Sequence, residues 1–160
     1  MATRDELVVK NRQELEKMCV QIQSECPLAK QVRYSCTNYY PNVCFIVVDA
    51  LAPQDYPHGI SDNSVVLMFC IDFEEKNFEC VRSGHIYLSE KDKRDNPKLR
   101  YLCMNSMVEI GVRRGLKKMR KSKIKDNATT AHKMATYFNE VMEKVVEYTG
   151  GYPYKQGIEK

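Results

Sequence analysis

The clearest chemical pattern in the sequence is a run of cations at positions 113–125, the basic segment. Eight of its thirteen residues are Lys or Arg, and none is acidic. Cations gathered on one strip bind nucleic-acid phosphates by releasing their counterions, and scattered cations do so less effectively. We therefore predict a DNA or RNA interface here. Its cationic members are Arg113, Arg114, Lys117, Lys118, Arg120, Lys121, Lys123 and Lys125.

The basic segment also concentrates the charge of the chain. The 160 residues carry a net charge of +4, and without these eight cations the other 147 residues carry −4. A solvated helix end is an open interpretation, although one or two cations are enough to complement a helix macrodipole. An anionic membrane partner is not expected, because the segment offers only Leu116, Met119 and Ile124 as apolar anchors, with no Trp or Phe.

An acidic body joined to a basic segment can also associate with itself or with an acidic protein partner. A protein–protein interaction or structural module, including a homo-oligomer, is therefore the alternative function. Exposed tyrosines suit both functions, because they are common at interfaces and stack on unpaired bases. The most suggestive pair, Tyr152 and Tyr154, lies in the tail beside Lys155, and Tyr39 and Tyr40 lie at a predicted turn.

Three further residues match a second alternative, a metal-dependent nuclease. Such enzymes hold a divalent cation between an Asp on one strand and a D/E-x-K on the next, where the Lys orients the attacking water. Asp49 ends one predicted strand, and Glu74 and Lys76 follow the next. A match of this kind is expected by chance in a chain with 21 acidic residues, and Glu74 falls at a predicted turn. An enzyme is therefore the less favoured class.

The cysteines and histidines indicate neither a metal site nor a cofactor. The seven Cys are odd in number, form no C-x-x-C, and sit mostly in apolar runs, as buried reduced cysteines do. His58, His85 and His132 are not paired with any Cys at zinc-ligand spacing. His58 has acidic neighbours in a Pro-rich loop at 52–63, where it could act as a general base. That loop stays an open question.

No segment of the sequence predicts insertion into a membrane. The longest apolar runs, 44–48 and 65–71, are far shorter than the ~18 residues of a membrane-spanning helix. The first residues carry both charge signs and lead into no apolar run typical of a secretory signal. We expect a cytoplasmic protein with a single domain at 1–151 and a tail at 152–160.

The first elements of the predicted fold are a helix and four strands. Thr3 and Glu6 form a capping-box pattern that begins a helix at 4–25, which Pro27 ends. Alternating or continuous apolar residues then predict strands from 31, at 43–51, at 65–73 and at 78–88, with a bulge at Gly84. Short connections favour an antiparallel meander, although the long 52–63 loop leaves the middle link open.

Two helices complete the predicted fold. The first begins near Asn96 and runs to about Met119, which places Arg113, Lys117, Arg120 and Lys121 on one face. Gly111 and Gly115 within it permit the close approach of another helix, or a kink at the second glycine. The second begins after Asp126 or Asn127 and stops at Gly150. The fold class is α+β, with an N-terminal helix, a four-stranded mainly antiparallel sheet and two C-terminal helices packed on one face.

Overall fold

The protein is described by a computed structural model that covers residues 2–50, 67–83, 94 and 107–149. The predicted loop at 52–63, the predicted helix start at Asn96 and the tail at 152–160 lie outside these residues. The α+β class is confirmed. The elements are α1 (Arg4–Glu25), β1 (Ala29–Ser35), β2 (Val43–Ala50), β3 (Leu67–Asp72), β4 (Asn77–Ser83), α2 (Met107–Arg113), β5 (Ser122–Lys123) and α3 (Asn127–Thr149).

The strands form one antiparallel sheet in the order β1-β2-β3-β4-β5. The predicted meander is confirmed, and the link left open is antiparallel too, because Val43 pairs with Asp72 and Val48 with Leu67. Within the described residues the sheet has five strands, where four were predicted. The additional strand, β5, has two residues and pairs Lys123 with Asn77. Two residues are too few to show the period-two pattern from which a strand is predicted.

The core lies between one face of the sheet and the helices. Alternate residues of β2, including Ile46 and Val48, point to this face and pair with Phe69 and Leu67 of β3. All four are fully buried, as is Phe138 of α3. Helices α1 and α3 contact each other, and both contribute side chains to the same core. The predicted packing of helices on one face is therefore confirmed.

Side chains at the helix ends and on α1 fix the local geometry. The Thr3 hydroxyl accepts a hydrogen bond from the Glu6 amide at 3.1 Å, as the capping box predicted. Asp126 caps α3 by accepting a hydrogen bond from the Thr129 amide at 2.7 Å. Within α1, buried Asn11 donates from Nδ2 to the Pro41 carbonyl at 2.6 Å. Helix α1 thereby holds the β1–β2 turn.

The sheet contains a bulge in β4, three residues before the predicted position. Met68 pairs with Arg82 and Phe69 pairs with Cys80, so Val81 has no partner residue on β3. Val81 is 45% exposed, as expected of an extra residue displaced from the ladder. Gly84 itself lies outside the described residues.

The prediction that the second helix continues to Met119 is wrong, because α2 ends at Arg113 in a Schellman motif. Gly115 has a φ of +97°, which breaks the helical path. The Leu116 amide donates to the Gly111 carbonyl at 2.9 Å, and the Gly115 amide donates to the Val112 carbonyl at 3.0 Å. A Cβ on Gly111 would lie only 2.7 Å from Leu116 Cδ2. The two glycines therefore form a helix cap and not a helix-packing motif.

Replacing Gly115 with Ala tests this cap through the sign of its effect. We expect a loss of about 1–2 kcal/mol in the free energy of unfolding, because Ala is strained at positive φ. Inside a continuous helix the same change would stabilise by about 1 kcal/mol. Urea unfolding measures the difference. Gly115→Asn, which tolerates positive φ better than Ala, is the matched control and is expected to lose less.

Candidate nucleic-acid interface

After the cap of α2, the basic segment continues without regular structure to β5, which pairs with β4 at the edge of the described sheet. Three of its side chains, Leu116, Met119 and Ile124, are half-buried and pack against the core. The Met119 amide donates to the Tyr137 hydroxyl at 3.3 Å, and the Ile124 amide donates to the Lys76 carbonyl at 2.8 Å. The backbone of the segment is thus attached to the body of the protein at several points.

The charged side chains between these anchors point to solvent. All six cations from 117 to 125 are exposed, and none of the nine residues there is acidic. The six are Lys117, Lys118, Arg120, Lys121, Lys123 and Lys125. A stretch of this length spans at most about 30 Å when extended. The segment therefore presents a run of exposed cations on a backbone that is attached to the core.

The prediction that these cations share one face of a helix is wrong. Arg113 is the last residue of α2, whereas Lys117, Arg120 and Lys121 lie in the irregular stretch between α2 and β5. The reason is the cap at Gly115, which ends the helix, so the residues that follow no longer repeat at helical spacing. Lys123 pairs with Asn77 at the sheet edge. The segment therefore presents its charge along an edge.

Lys121 lies close to the sheet face that points away from the helices. Cys70 belongs to that face, because it alternates with Phe69 and Ile71, whose side chains enter the core. Burial raises the pKa of the Cys70 thiol, Glu79 and Asp72 add to the rise, and the Lys121 ammonium partly offsets it. Asp72 and Glu79 share this face of the sheet with Cys70, so acidic charges as well as the Lys121 ammonium act on it.

Arg114 and Lys118 contact acidic groups within the part of the chain that the structure describes. The Arg114 guanidinium lies 3.4 Å from Glu147 and 5.5 Å from the centre of the Tyr148 ring, at the end of α3. The Lys118 ammonium lies 3.0 Å from Glu109 of α2 and is 60% exposed. Exposed pairs of this kind are weak, so a phosphate can compete for Lys118. No sequence signal identified these acidic partners, because they lie on other elements.

Two of the tyrosines named from the sequence lie at the end of the sheet where β5 pairs with β4. Tyr39 and Tyr40, in the β1–β2 turn, are 76% and 71% exposed. The turn lies at the same end of the sheet as Lys123, since Val43 pairs with Asp72 and Asn77 with Lys123. The three strand spacings from β2 to β5 amount to about 14 Å. Tyr152 and Tyr154 lie outside the described residues.

The residues of the predicted nuclease site are not brought together. Asp49 lies near the end of β2, whereas Glu74 and Lys76 lie in the β3–β4 turn, next to Asp72, which pairs with Val43 at the start of β2. Six residues of strand separate the two positions, or about 20 Å. Asp49 and Glu74 therefore cannot share one metal ion. Within the described ranges, no group of three or more potential ligand side chains could hold a metal.

Asp49 instead forms a buried ion pair with Arg33 of β1. The carboxylate is 3% exposed and accepts two hydrogen bonds from the guanidinium, at 2.9 and 3.2 Å. Burial raises the pKa of Asp49, and the Arg33 charge works against that rise. The Asp49 carboxylate that suggested a metal ligand thus belongs to a cross-strand ion pair within the sheet.

The remaining histidines and cysteines give no catalytic arrangement in the described residues. His132 of α3 contacts the Glu25 carboxylate, whose pKa is lowered by hydrogen bonds from Gln21 and His132. Cys19, Cys26, Cys36 and Cys44 are buried, as predicted, and Cys70 and Cys80 are half-buried. His58, His85 and Cys103 lie outside the described residues.

No helix in the described residues is long and apolar enough to span a membrane. Comparisons of the chain with protein-family models, with curated proteins and with solved structures find no match.

Proposed function

We propose that this protein binds nucleic acid through the exposed part of the basic segment, at 117–125. The observation that carries the proposal is a run of six exposed cations within nine residues, none of them acidic, whose apolar side chains anchor the backbone to the core. Among the six, Lys118 contacts the Glu109 carboxylate of α2. An anchored segment loses less conformational entropy on binding than a free tail does. Contacts of this type are made to phosphates, so they carry little sequence specificity.

The exposed tyrosines favour single-stranded or looped substrates over a uniform duplex. Tyr39 and Tyr40 present aromatic faces at the end of the sheet where Lys123 lies. Unpaired bases stack on such rings, whereas the bases of a duplex do not reach them. A single-stranded nucleic acid whose phosphates follow the basic segment can place its bases toward these rings.

The edge position of β5 provides a competing physical explanation for the lysines. Charged side chains on an edge strand prevent it from pairing with other chains. A protective role of this kind needs no ligand. The two explanations differ in whether nucleic acid binds with an affinity that depends on salt.

Fluorescence anisotropy with labelled single-stranded and duplex DNA and RNA tests the proposal at several salt concentrations. If about four phosphates are neutralised, the slope of log K against log salt is expected to be about −3 to −4. Replacing four cations with Gln is expected to weaken binding at low salt by at least about 100-fold and to flatten the slope. The four are Lys117, Arg120, Lys121 and Lys123.

A matched variant controls for the overall change of charge. It replaces four lysines of α1 and α3 with Gln and is expected to bind within a few-fold of the unaltered chain. The four are Lys10, Lys17, Lys133 and Lys144. An equal loss in both variants, or no binding of the unaltered chain at low salt, would refute the proposal and leave the protective role.

A second candidate function is protein–protein association, favoured by a different surface. Val9 and Val20 of α1 are 57% and 66% exposed, and Val20 lines a groove with Val32 and Tyr34 of β1. Among the described strands, β1 forms the other edge of the sheet. Light scattering separates the candidates, because a stable oligomer that Val20→Glu dissociates without altering anisotropy would assign association to this surface alone.

A further inference from the structure

The pairing of β1 with β2 brings two cysteines into contact just beyond the end of β1. Ser35 pairs with Phe45, so the next residues in register, Cys36 and Cys44, face each other across the two chain segments. Their sulfur atoms are 3.2 Å apart. Both residues are buried, Cys36 at 4% exposure and Cys44 at 0%.

The surroundings of the two thiols hold them in this arrangement. Each Sγ contacts the Pro41 carbonyl oxygen, at 3.5 Å for Cys36 and 3.6 Å for Cys44. The same oxygen accepts a hydrogen bond from Asn11. Arg12 donates to the Cys36 carbonyl at 2.9 Å, so α1 fixes the backbone on one side of the pair. These contacts of the fold therefore hold the two thiols in place.

This geometry suits a covalent bond between the sulfurs. Directly opposed residues of antiparallel strands have Cα atoms about 4.5–5.5 Å apart, within the range of about 4.4–6.8 Å that disulfides require. Cys70 is excluded as a rival partner of Cys44. It pairs with Phe45 on the opposite face of the sheet.

We propose that Cys36 and Cys44 form a reversible disulfide that closes the turn carrying the exposed pair Tyr39 and Tyr40. The inference is independent of the proposed nucleic-acid function. It assigns a site of oxidative modification to two cysteines that the apolar sequence pattern predicts only as core residues.

The oxidant is a low-molecular-weight disulfide such as oxidised glutathione. The Cys36 thiolate attacks one sulfur of it, which forms a mixed disulfide and releases one glutathione thiolate. The Cys44 thiolate then attacks Cys36 Sγ, which forms the protein disulfide and releases the second glutathione. The two protein thiols lose two protons and two electrons, and the oxidant becomes two thiols. Cys36 is the first nucleophile because it is 4% exposed, whereas Cys44 is fully buried.

Oxidation changes the hydrogen bonding of the turn as well as its freedom. The S–H contacts of both cysteines with the Pro41 carbonyl are lost, as is the S–H contact of Cys44 with Cys36 Sγ, and Asn11 remains as the side-chain donor to that carbonyl. The closed ring contains residues 36–44, including both exposed tyrosines. Closing a ring of this size removes chain entropy from the unfolded state.

Peptide mapping of the folded full-length chain tests the proposal directly. The protein is equilibrated with graded mixtures of oxidised and reduced glutathione, free thiols are blocked, and the unfolded product is cut with chymotrypsin. Cleavage after Tyr39 separates Cys36 from Cys44, so the expected product is peptide 35–39 linked to peptide 40–45. This link is expected before any other cysteine pair forms, and with it a rise in Tm of about 5–10 °C that a reductant reverses.

Two variants and one condition make the result decisive. Cys36→Ser is expected to lose both the link and the Tm rise, and Cys80→Ser is expected to keep both. If Cys36→Ser does not fold, the link in the unaltered chain still tests the proposal. A link that forms only after unfolding in urea, or linkage spread among other cysteines, would overturn it.

Discussion

Replacing Arg33 with Ala is expected to lower the free energy of unfolding by about 2–3 kcal/mol at neutral pH. The Asp49 carboxylate is 3% exposed and loses both of its charge-assisted hydrogen bonds when the guanidinium is removed. The value lies below the range for fully buried pairs because the Arg33 side chain is 45% exposed. Urea unfolding monitored by circular dichroism measures the loss.

The loss should depend on pH with a defined sign. Burial raises the pKa of Asp49 in the folded protein above its ordinary value. A raised pKa contributes stability below the unfolded pKa and loses it as the pH rises through the folded pKa. Without Arg33 the pKa rises further, so the variant should approach the unaltered protein in acid and fall behind as Asp49 ionises. Adding Asp49→Asn to the variant should restore most of the loss at neutral pH, and a loss independent of pH would contradict the ion-pair explanation.

Replacing Phe69 with Ala is expected to cost about 4 kcal/mol in the free energy of unfolding. Phe69 of β3 is fully buried in the core. Its ring meets the ring of Tyr137 edge-on, with the ring centres 6.5 Å apart and the planes at 74°. Truncation leaves a cavity beneath the centre of the sheet, where neighbouring side chains cannot all move to fill it. Calorimetry or urea unfolding measures the change.

Tyr137→Phe is the matched control, because it keeps the ring and removes the hydroxyl that accepts from Met119. We expect it to cost about 1 kcal/mol. Combined with Phe69→Ala, Tyr137→Ala should show a coupling of about 0.5–1.5 kcal/mol in a double-mutant cycle. Additive losses would show that the two rings do not interact energetically.

The sequence predicted the elements whose apolar spacing has a clear period. Helix α1 is confirmed at 4–25, with its Thr3 cap, because a capping box and a stop at Pro27 both mark its ends. The end of α2 was missed because Val112, Leu116 and Met119 continue the helical spacing. Val112 reaches the core from the last turn of α2, and Leu116 and Met119 reach it from the irregular stretch after the helix. Gly115 carried the correct signal, as a glycine typical of a helix C-cap.

The candidate site, too, could be predicted only in part: the sequence shows where the charges cluster, and the fold decides what they contact. Charge clustering located the basic segment, but its anchors and acidic partners, such as Tyr137 and Glu109, come from elements distant in sequence. The separation of Asp49 from Glu74 follows from the predicted meander itself. In an antiparallel pair, the C-terminal end of one strand and the C-terminal end of the next lie at opposite ends of the pair. The register of β2 with β3 confirms this.

The pairing of β5 with β4 has a consequence for the order of folding. Asn77 and Lys123 pair across a long stretch of sequence, whereas β3 and β4 are joined by a tight turn. Because loop-closure entropy must be overcome before distant contacts form, the local hairpins form before β5 docks. Contacts made after the rate-limiting step mainly slow unfolding. The pairing of β5 with β4 is therefore expected to be among the last contacts of the sheet to form, after the local hairpins.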